Sequence, residues 1–125
     1  MKQEKFSIAK RLKSFTYAFN GLRILLLEEH NSRIHLSAAI CVVAAGILFH
    51  ISLLEWVAVI FAIGLVFSFE IINSAVENLS DFVCSERNDL IKKVKDLAAA
   101  AVLVSAITAA IIGLIVFIPK IIELL

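Results

Sequence analysis

The stretch Trp56-Val-Ala-Val-Ile-Phe-Ala-Ile-Gly-Leu-Val-Phe-Ser-Phe-Glu70-Ile-Ile-Asn73-Ser-Ala-Val-Glu77-Asn-Leu-Ser-Asp81 decides how this chain is read. It carries no charge from Trp56 to Phe69, then places Glu70, Asn73, Glu77 and Asp81 in quick succession. On a helix turning ~100° per residue those four fall at about 0°, 300°, 340° and 20°, one narrow face. Ile71, Ile72, Val76 and Leu79 lie elsewhere, free for lipid or apolar packing. Counted from Trp56 at ~1.5 Å per residue, Glu70 is about 21 Å along and Glu77 about 31 Å. A hydrocarbon core is ~30 Å thick and needs about 20 helical residues. The pattern predicts a transmembrane helix whose polar stripe begins inside one leaflet and climbs into water.

Outward from this segment, two further tracts are long and apolar enough to span. One runs from Ile34 to Phe49 with His35 at its start; the other runs from Leu97 to Ile118 without a charge, ended by Pro119. Ahead of them Ala9, Leu12, Phe15, Phe19, Leu22 and Leu26 recur at spacings of three and four, with Lys10, Arg11, Lys13 and Asn20 off that stripe. That is an amphipathic helix lying along the membrane interface. Its scattered charges do not fit a cleavable signal peptide. The expected architecture is all-α and integral to the membrane, a single domain over 1–125. It comprises an interfacial helix at about 6–29 and spans at about 34–50, 54–82 and 96–118, a reading set by the span length of about 20 residues.

Composition agrees. Of 125 residues 61% are hydrophobic, with one Pro and four Gly, and mean hydropathy is +0.96. Soluble enzymes and turn-rich β-proteins are disfavoured by such numbers. A net charge of +1 gives no footing for nucleic acid. Cys41 and Cys84 cannot form a disulfide framework and lack metal-site spacing. Lys2, Lys5, Lys10, Arg11, Lys13, Arg23 and Arg33 precede the first span, and Arg87, Lys92, Lys93 and Lys95 lie between the second and third. The connection from His50 to Glu55 has no base, and the C-terminal tail has Lys120 alone. The positive-inside rule then puts the N-terminus and the second loop in the cytoplasm and the C-terminus outside. Glu55 and Trp56 read as a pair at the outer interface, Cys41 as a buried apolar residue, Cys84 as a free thiol, and His30 and His50 as solvated boundary residues.

A carboxylate at the depth of Glu70 costs about 2.5–3.5 kcal/mol on insertion scales and is functional by default. Polar glue between helices would account for Asn73 and Ser74, but crowded acids repel and call for a cation. Glu77 and Asp81, with Glu29 just before the first span, offer oxygen ligands that suit Mg²⁺. Glu70, less hydrated, suits a general base removing a hydroxyl proton. Lys95 and Asp96 enter the third span at the same boundary. Lys95 serves there as an ordinary positive-inside charge or as a phosphate ligand. The chemistry these residues imply is phosphoryl transfer from a soluble donor to a hydroxyl that lives in the bilayer. No glycine-rich phosphate loop is present, so metal and cationic side chains must neutralise the phosphates.

Glu70-Ile-Ile-Asn-Ser-Ala-Val-Glu77, the following Asp81, and Val94-Lys-Asp-Leu-Ala-Ala-Ala-Ala-Val resemble the prokaryotic diacylglycerol kinase family of integral-membrane lipid kinases. The likeness covers nearly the whole chain, from Gly21-Leu-Arg23 to the third span. Glu29-x-x-x-Arg33-Ile-His35, Leu54-Glu55-Trp56 and the ending Gly113-Leu-Ile-Val-Phe-Ile-Pro-Lys120 are similar to its Gram-positive branch, which phosphorylates undecaprenol. The resemblance implies Glu70 as catalytic base and Glu29 and Glu77 as ligands of a Mg²⁺ that bridges the ATP phosphates. It implies Asn73 at the γ-phosphate, Lys95 on phosphate oxygens and Asp96 organising the site. Lys10, Tyr17, Asp81 and Glu86 match nucleotide-side positions, and Arg33, His35 and Glu70 the lipid side. His35 stands where diacylglycerol-phosphorylating members often carry Glu, which favours the polyprenol. Asn88 departs from a His found in some members. The family forms homotrimers, and three spans alone can hardly enclose Glu70, so sites between protomers are expected.

Other readings are a diacylglycerol kinase, an ion-coupled transporter or proton channel, and an assembly subunit. A transporter wants acids near the midplane open to both sides, and none lies between Trp56 and Phe69. For an assembly subunit Glu77, Asp81, Lys95 and Asp96 are superfluous.

Overall fold

The computed structural model describes residues 5–125. Lys2, counted above among the bases, lies outside them. Four helices follow one another: α1 (Ile8–Glu28), α2 (His30–Leu48), α3 (Leu53–Val83) and α4 (Asp89–Leu124). Ser7 starts α1 by accepting the Lys10 N–H on its hydroxyl at 3.4 Å. The helix stops at Glu29, whose backbone is extended at φ −99°, ψ 113°, and α2 begins at the next residue. The chain thus changes direction over a single residue, and that residue's carboxylate is delivered to the side of α3. Asn88 starts α4 by accepting from the N–H groups of Leu90 and Ile91 at 2.9 and 3.2 Å, as N-cap side chains do.

The α2–α3 turn carries a cap that the sequence reading did not name. Ser52 and Glu55 form a reciprocal cap: the Glu55 N–H donates to Ser52 Oγ at 3.2 Å and the Ser52 N–H to Glu55 Oε1 at 3.1 Å. Lys120 Nζ, from the end of α4, reaches the same carboxylate at 3.5 Å. Glu55 is therefore a structural cap, and the Ser-x-x-Glu pattern is its sequence signature. Trp56 packs inward on Gly46, where a β-carbon would stand 2.7 Å from its Cη2 atom and 2.9 Å from Cζ2. Only glycine lets the indole come so near. His50 turns the chain at φ 51° and is exposed.

Pro119 does not end the helix that carries the third span. α4 continues through it to Leu124, although proline removes one helical hydrogen bond and crowds the preceding turn. Packing on either side holds these turns in place. Val116 joins Ile51 and Val59 in the buried cluster, Phe117 meets Phe49 at a ring separation of 6.2 Å, and Lys120 is tied to Glu55.

α3 and α4 share the most extensive contact, α2 rests on α3, and α1 touches both α2 and α3. The interior is thin: Leu25, Ile51, Val59, Ala62, Val66 and Val116 are its buried apolar residues. Large apolar side chains such as Ile60, Phe61, Leu103, Val104, Leu114 and Ile115 face outward. Water would penalise that surface and hydrocarbon does not. α2, α3 and α4 are each long and apolar enough to cross a membrane. At ~1.5 Å per residue α3 is about 46 Å long and α4 about 54 Å, so both outrun a ~30 Å core. Cys41 is exposed rather than buried, because α2 turns Ala38, Ala39 and Val42 inward instead. On α1 the buried residue is Leu25, beside the anticipated stripe, while Leu12, Phe15 and Phe19 remain uncovered.

Candidate functional site

The two ends of the bundle are unlike, and the polar one gathers most of the residues singled out above. Glu70, on the stripe face of α3, is only 4% exposed. Its Oε1 lies 3.0 Å from His35 Nε2 on α2, ion-pair distance when the ring is protonated. That oxygen nevertheless receives no well-formed hydrogen bond. Within the single chain Glu70 is already buried, with His35 of α2 beside it. One turn on, the Ser74 hydroxyl donates to Glu29 Oε1 at 2.9 Å, fixing the α1–α2 junction to α3. Asn73 Nδ2 donates to Glu77 Oε1 at 3.4 Å, leaving Asn73 Oδ1 buried and without a partner. Asn78 Nδ2 donates to the Ser74 carbonyl at 2.8 Å. Ser32 Oγ, near the start of α2, is also buried and unpaired. Buried polar atoms without partners cost about 1–3 kcal/mol each, and their concentration at one end marks a place built for a ligand.

Past the stripe the helices leave the apolar zone. Lys95, on the polar first turns of α4 ahead of Leu97, holds the Asp81 carboxylate of α3. That hydrogen bond, aided by the charges of Asp81 and Glu77, raises the Lys95 pKa against a smaller opposing effect of desolvation. Asp96 pairs with Lys92 at 2.6 Å along the same helix. Arg33 lies against His30 Nδ1 at 3.0 Å. Lys10 and Tyr17 sit two turns apart on exposed turns of α1, and Glu86 is exposed in the 84–88 loop. The Tyr17 and Glu86 side chains make no polar contact with the Glu29–Glu77 group. Cys84 is a free thiol, donating to the Glu86 carbonyl at 3.3 Å.

Among the described residues no three His, Cys, Asp or Glu side chains converge into a metal cage. Asp81 is engaged by Lys95, which leaves Glu29, bonded to Ser74, and Glu77, bonded to the adjacent Asn73, as the remaining acids of the anticipated oxygen cluster. Mg²⁺ is commonly held by one or two carboxylates with waters and substrate phosphates completing its shell. The donor set fits that arrangement and not a closed protein site. Ser74 is the polar residue whose role the spacing undersold: at i+4 from Glu70 it lies on the stripe face, and it does act between helices.

Along the helices from His35 runs a cleft of about 220 Å³ between α2, α3 and α4. Ala38, Ala39 and Val42 line it from α2, Val59, Ala62, Ile63, Val66 and Phe67 from α3, and Ala106, Ala109, Ile112 and Gly113 from α4. His35 is its one polar lining residue. An apolar chain could lie here with its head at the His35–Glu70 pair, the usual form of a ligand cleft with few polar groups.

Residues 16–117 match the family described as prokaryotic diacylglycerol kinase. The chain is 36% identical over 119 residues to undecaprenol kinase of Bacillus subtilis, covering 95% of this chain and 97% of that protein. It is 39% identical over 100 residues to diacylglycerol kinase of Helicobacter pylori, covering 78% and 77% of the two. With diacylglycerol kinase of Escherichia coli K12 the identity is 32% over 100 residues, covering 80% and 82%. The acceptor named differs among these relatives while the class of reaction does not, and the match spans the helices that carry the buried acid. The chain belongs to the prokaryotic diacylglycerol kinase family and is a multi-pass membrane lipid kinase.

Proposed function

We propose that this lipid kinase transfers the γ-phosphate of ATP to the hydroxyl of undecaprenol, giving the undecaprenyl phosphate that carries glycans for the cell envelope. The observation that carries the reading is the position of Glu70. It is buried against His35, at the head of an apolar cleft, on the same helix face as a hydrated group of acids and amides. A lipid alcohol reaches it from the hydrocarbon, and a nucleotide from water.

Each residue then has a task set by its place. Glu70 accepts the proton of the alcohol as the oxygen attacks phosphorus. Glu29 and Glu77 hold Mg²⁺, and Asn73, whose Oδ1 has no protein partner, lies beside the γ-phosphate. Bound Mg²⁺ supplies neutralisation of the phosphate charge, the main electrostatic demand of such a transfer. Lys95 serves phosphate oxygens, with Asp96 keeping Lys92 beside it. Lys10, Tyr17, Asp81 and Glu86 face the nucleotide, and Arg33 and His35 the lipid head. The bias of Lys and Arg puts the N-terminus and this site on the cytoplasmic side of the plasma membrane and the C-terminus outside. α1 lies along the inner interface, its uncovered Leu12, Phe15 and Phe19 in the headgroup boundary. Homotrimerisation covers part of the apolar surface and brings α1 and the 84–88 loop of neighbouring protomers to each nucleotide.

The relatives from Helicobacter pylori and Escherichia coli favour diacylglycerol as the other acceptor. The near end-to-end similarity to the Bacillus subtilis enzyme and His35 beside the base support the polyprenol. Purified protein given labelled ATP and Mg²⁺, with undecaprenol and diacylglycerol at equal mole fraction in mixed micelles, decides between them. Label is expected chiefly in undecaprenol; preferential labelling of diacylglycerol would overturn that choice of acceptor.

A further inference from the structure

Glu70 and His35 form a pair that the phosphoryl-transfer chemistry does not by itself require. We propose that His35 is a positioning residue for Glu70, orienting the carboxylate and switching its readiness to take a proton. The inference rests on the lipid-kinase reading of Glu70 given above.

His35 Nε2 stands 3.0 Å from Glu70 Oε1, which has no hydrogen-bond partner, and the Glu70 side chain is 5% exposed, so a small turn of the ring brings its nitrogen into line with the carboxylate. With a neutral imidazole, the Nε2–H holds Oε1 and leaves Oε2 to receive the hydroxyl proton. With an imidazolium, the carboxylate is locked in a full ion pair and becomes a poorer base. The ring is 25% exposed, against 5% for the Glu70 side chain. It also lines the apolar cleft, so a lipid lying there meets ring and base together. The neighbouring charges are otherwise occupied or distant in the chain. On α2 Arg33 is held by His30, and at the end of α1 Glu29 is bound to Ser74 beside Glu28. Further along α3 Glu77 is bound to Asn73 and Asp81 to Lys95. α4 has no titratable side chain between Asp96 and Lys120.

The test is the pH dependence of kcat for phosphate transfer in mixed micelles, on whichever of undecaprenol and diacylglycerol the unmodified protein labels. It compares the unmodified protein with His35→Gln and His35→Ala. The unmodified enzyme is expected to speed up as pH rises from 5 to 8, the interval in which histidines titrate. His35→Gln keeps a donor but cannot titrate. Its kcat should fall about 10-fold and lose that limb, and His35→Ala should fall further, about 100-fold, both with KM for ATP unchanged. A limb that persists in His35→Gln would belong to another group and overturn the proposal. So would unchanged kcat in both variants, or loss of ATP binding along with kcat, which marks a support of the whole bundle. Failure of the unmodified protein to label either alcohol would instead overturn the lipid-kinase site, and this inference with it.

Discussion

The two ends of α3 use the same kinds of residue for opposite purposes. At its start every charge is spent on structure: Glu55 is held by Ser52 and Lys120, and Trp56 seals against Gly46 over the Ile51–Val59–Val116 cluster. Near its other end Glu70 Oε1, Asn73 Oδ1 and the nearby Ser32 Oγ are buried and left without hydrogen-bond partners. A fold that satisfies its polar groups at one end of a helix and leaves them wanting at the other has separated stability from function along one element. The turn end holds the helices in register so that the polar end can afford its unmet hydrogen bonds.

Substitutions at the two ends should therefore fail in different assays. Glu70→Gln is expected to lower kcat about 1,000-fold or more, with ATP affinity and thermal stability in micelles preserved. Near-normal turnover would remove Glu70 as the base. Gly46→Ala should do the reverse. Its β-carbon meets the Trp56 ring, which lies 2.7 Å away at the nearest atom, and overpacking of this kind costs about 1–3 kcal/mol. Thermal unfolding should fall while kcat per folded enzyme holds, and a selective loss of kcat would break the division. Glu77→Gln should weaken Mg²⁺-dependent ATP binding about 10-fold, or about 1.4 kcal/mol, without altering the unfolding temperature. Unchanged ATP affinity would take Glu77 out of the metal shell. Ser52→Ala, which removes half of the reciprocal cap, should cost about 1 kcal/mol of stability and no activity. A drop in turnover there would show the two ends to be coupled.

What the sequence disclosed follows the reach of its periodicities. The stripe of Glu70, Asn73, Glu77 and Asp81 is legible because a helix fixes which residues share a face, and hydropathy marks the apolar helices. The contacts His35–Glu70 and Glu29–Ser74 are not legible that way. They depend on the register between α2 and α3, which is set by the left-handed His50 and the Trp56–Gly46 contact. Pro119 was misleading because a local helix-breaking rule was overruled by packing on both sides of it. The Ser52–Glu55 cap was readable from spacing, but the Glu55-Trp56 pair more readily suggests an interface anchor. Cys41 shows the limit of residue averages: cysteine is usually buried, yet α2 gives its inward positions to alanine and valine.

The central claim is that soluble donor and lipid acceptor meet at the polar end of α3, and photoaffinity labelling addresses it directly. An azido-ATP and a photoactivatable isoprenoid alcohol, each added to the protein in lipid bicelles with Mg²⁺, would be mapped by peptide mass. The account predicts ATP label within 73–96 and isoprenoid label along 35–42 and 59–70. ATP label concentrated between His50 and Trp56 would contradict it.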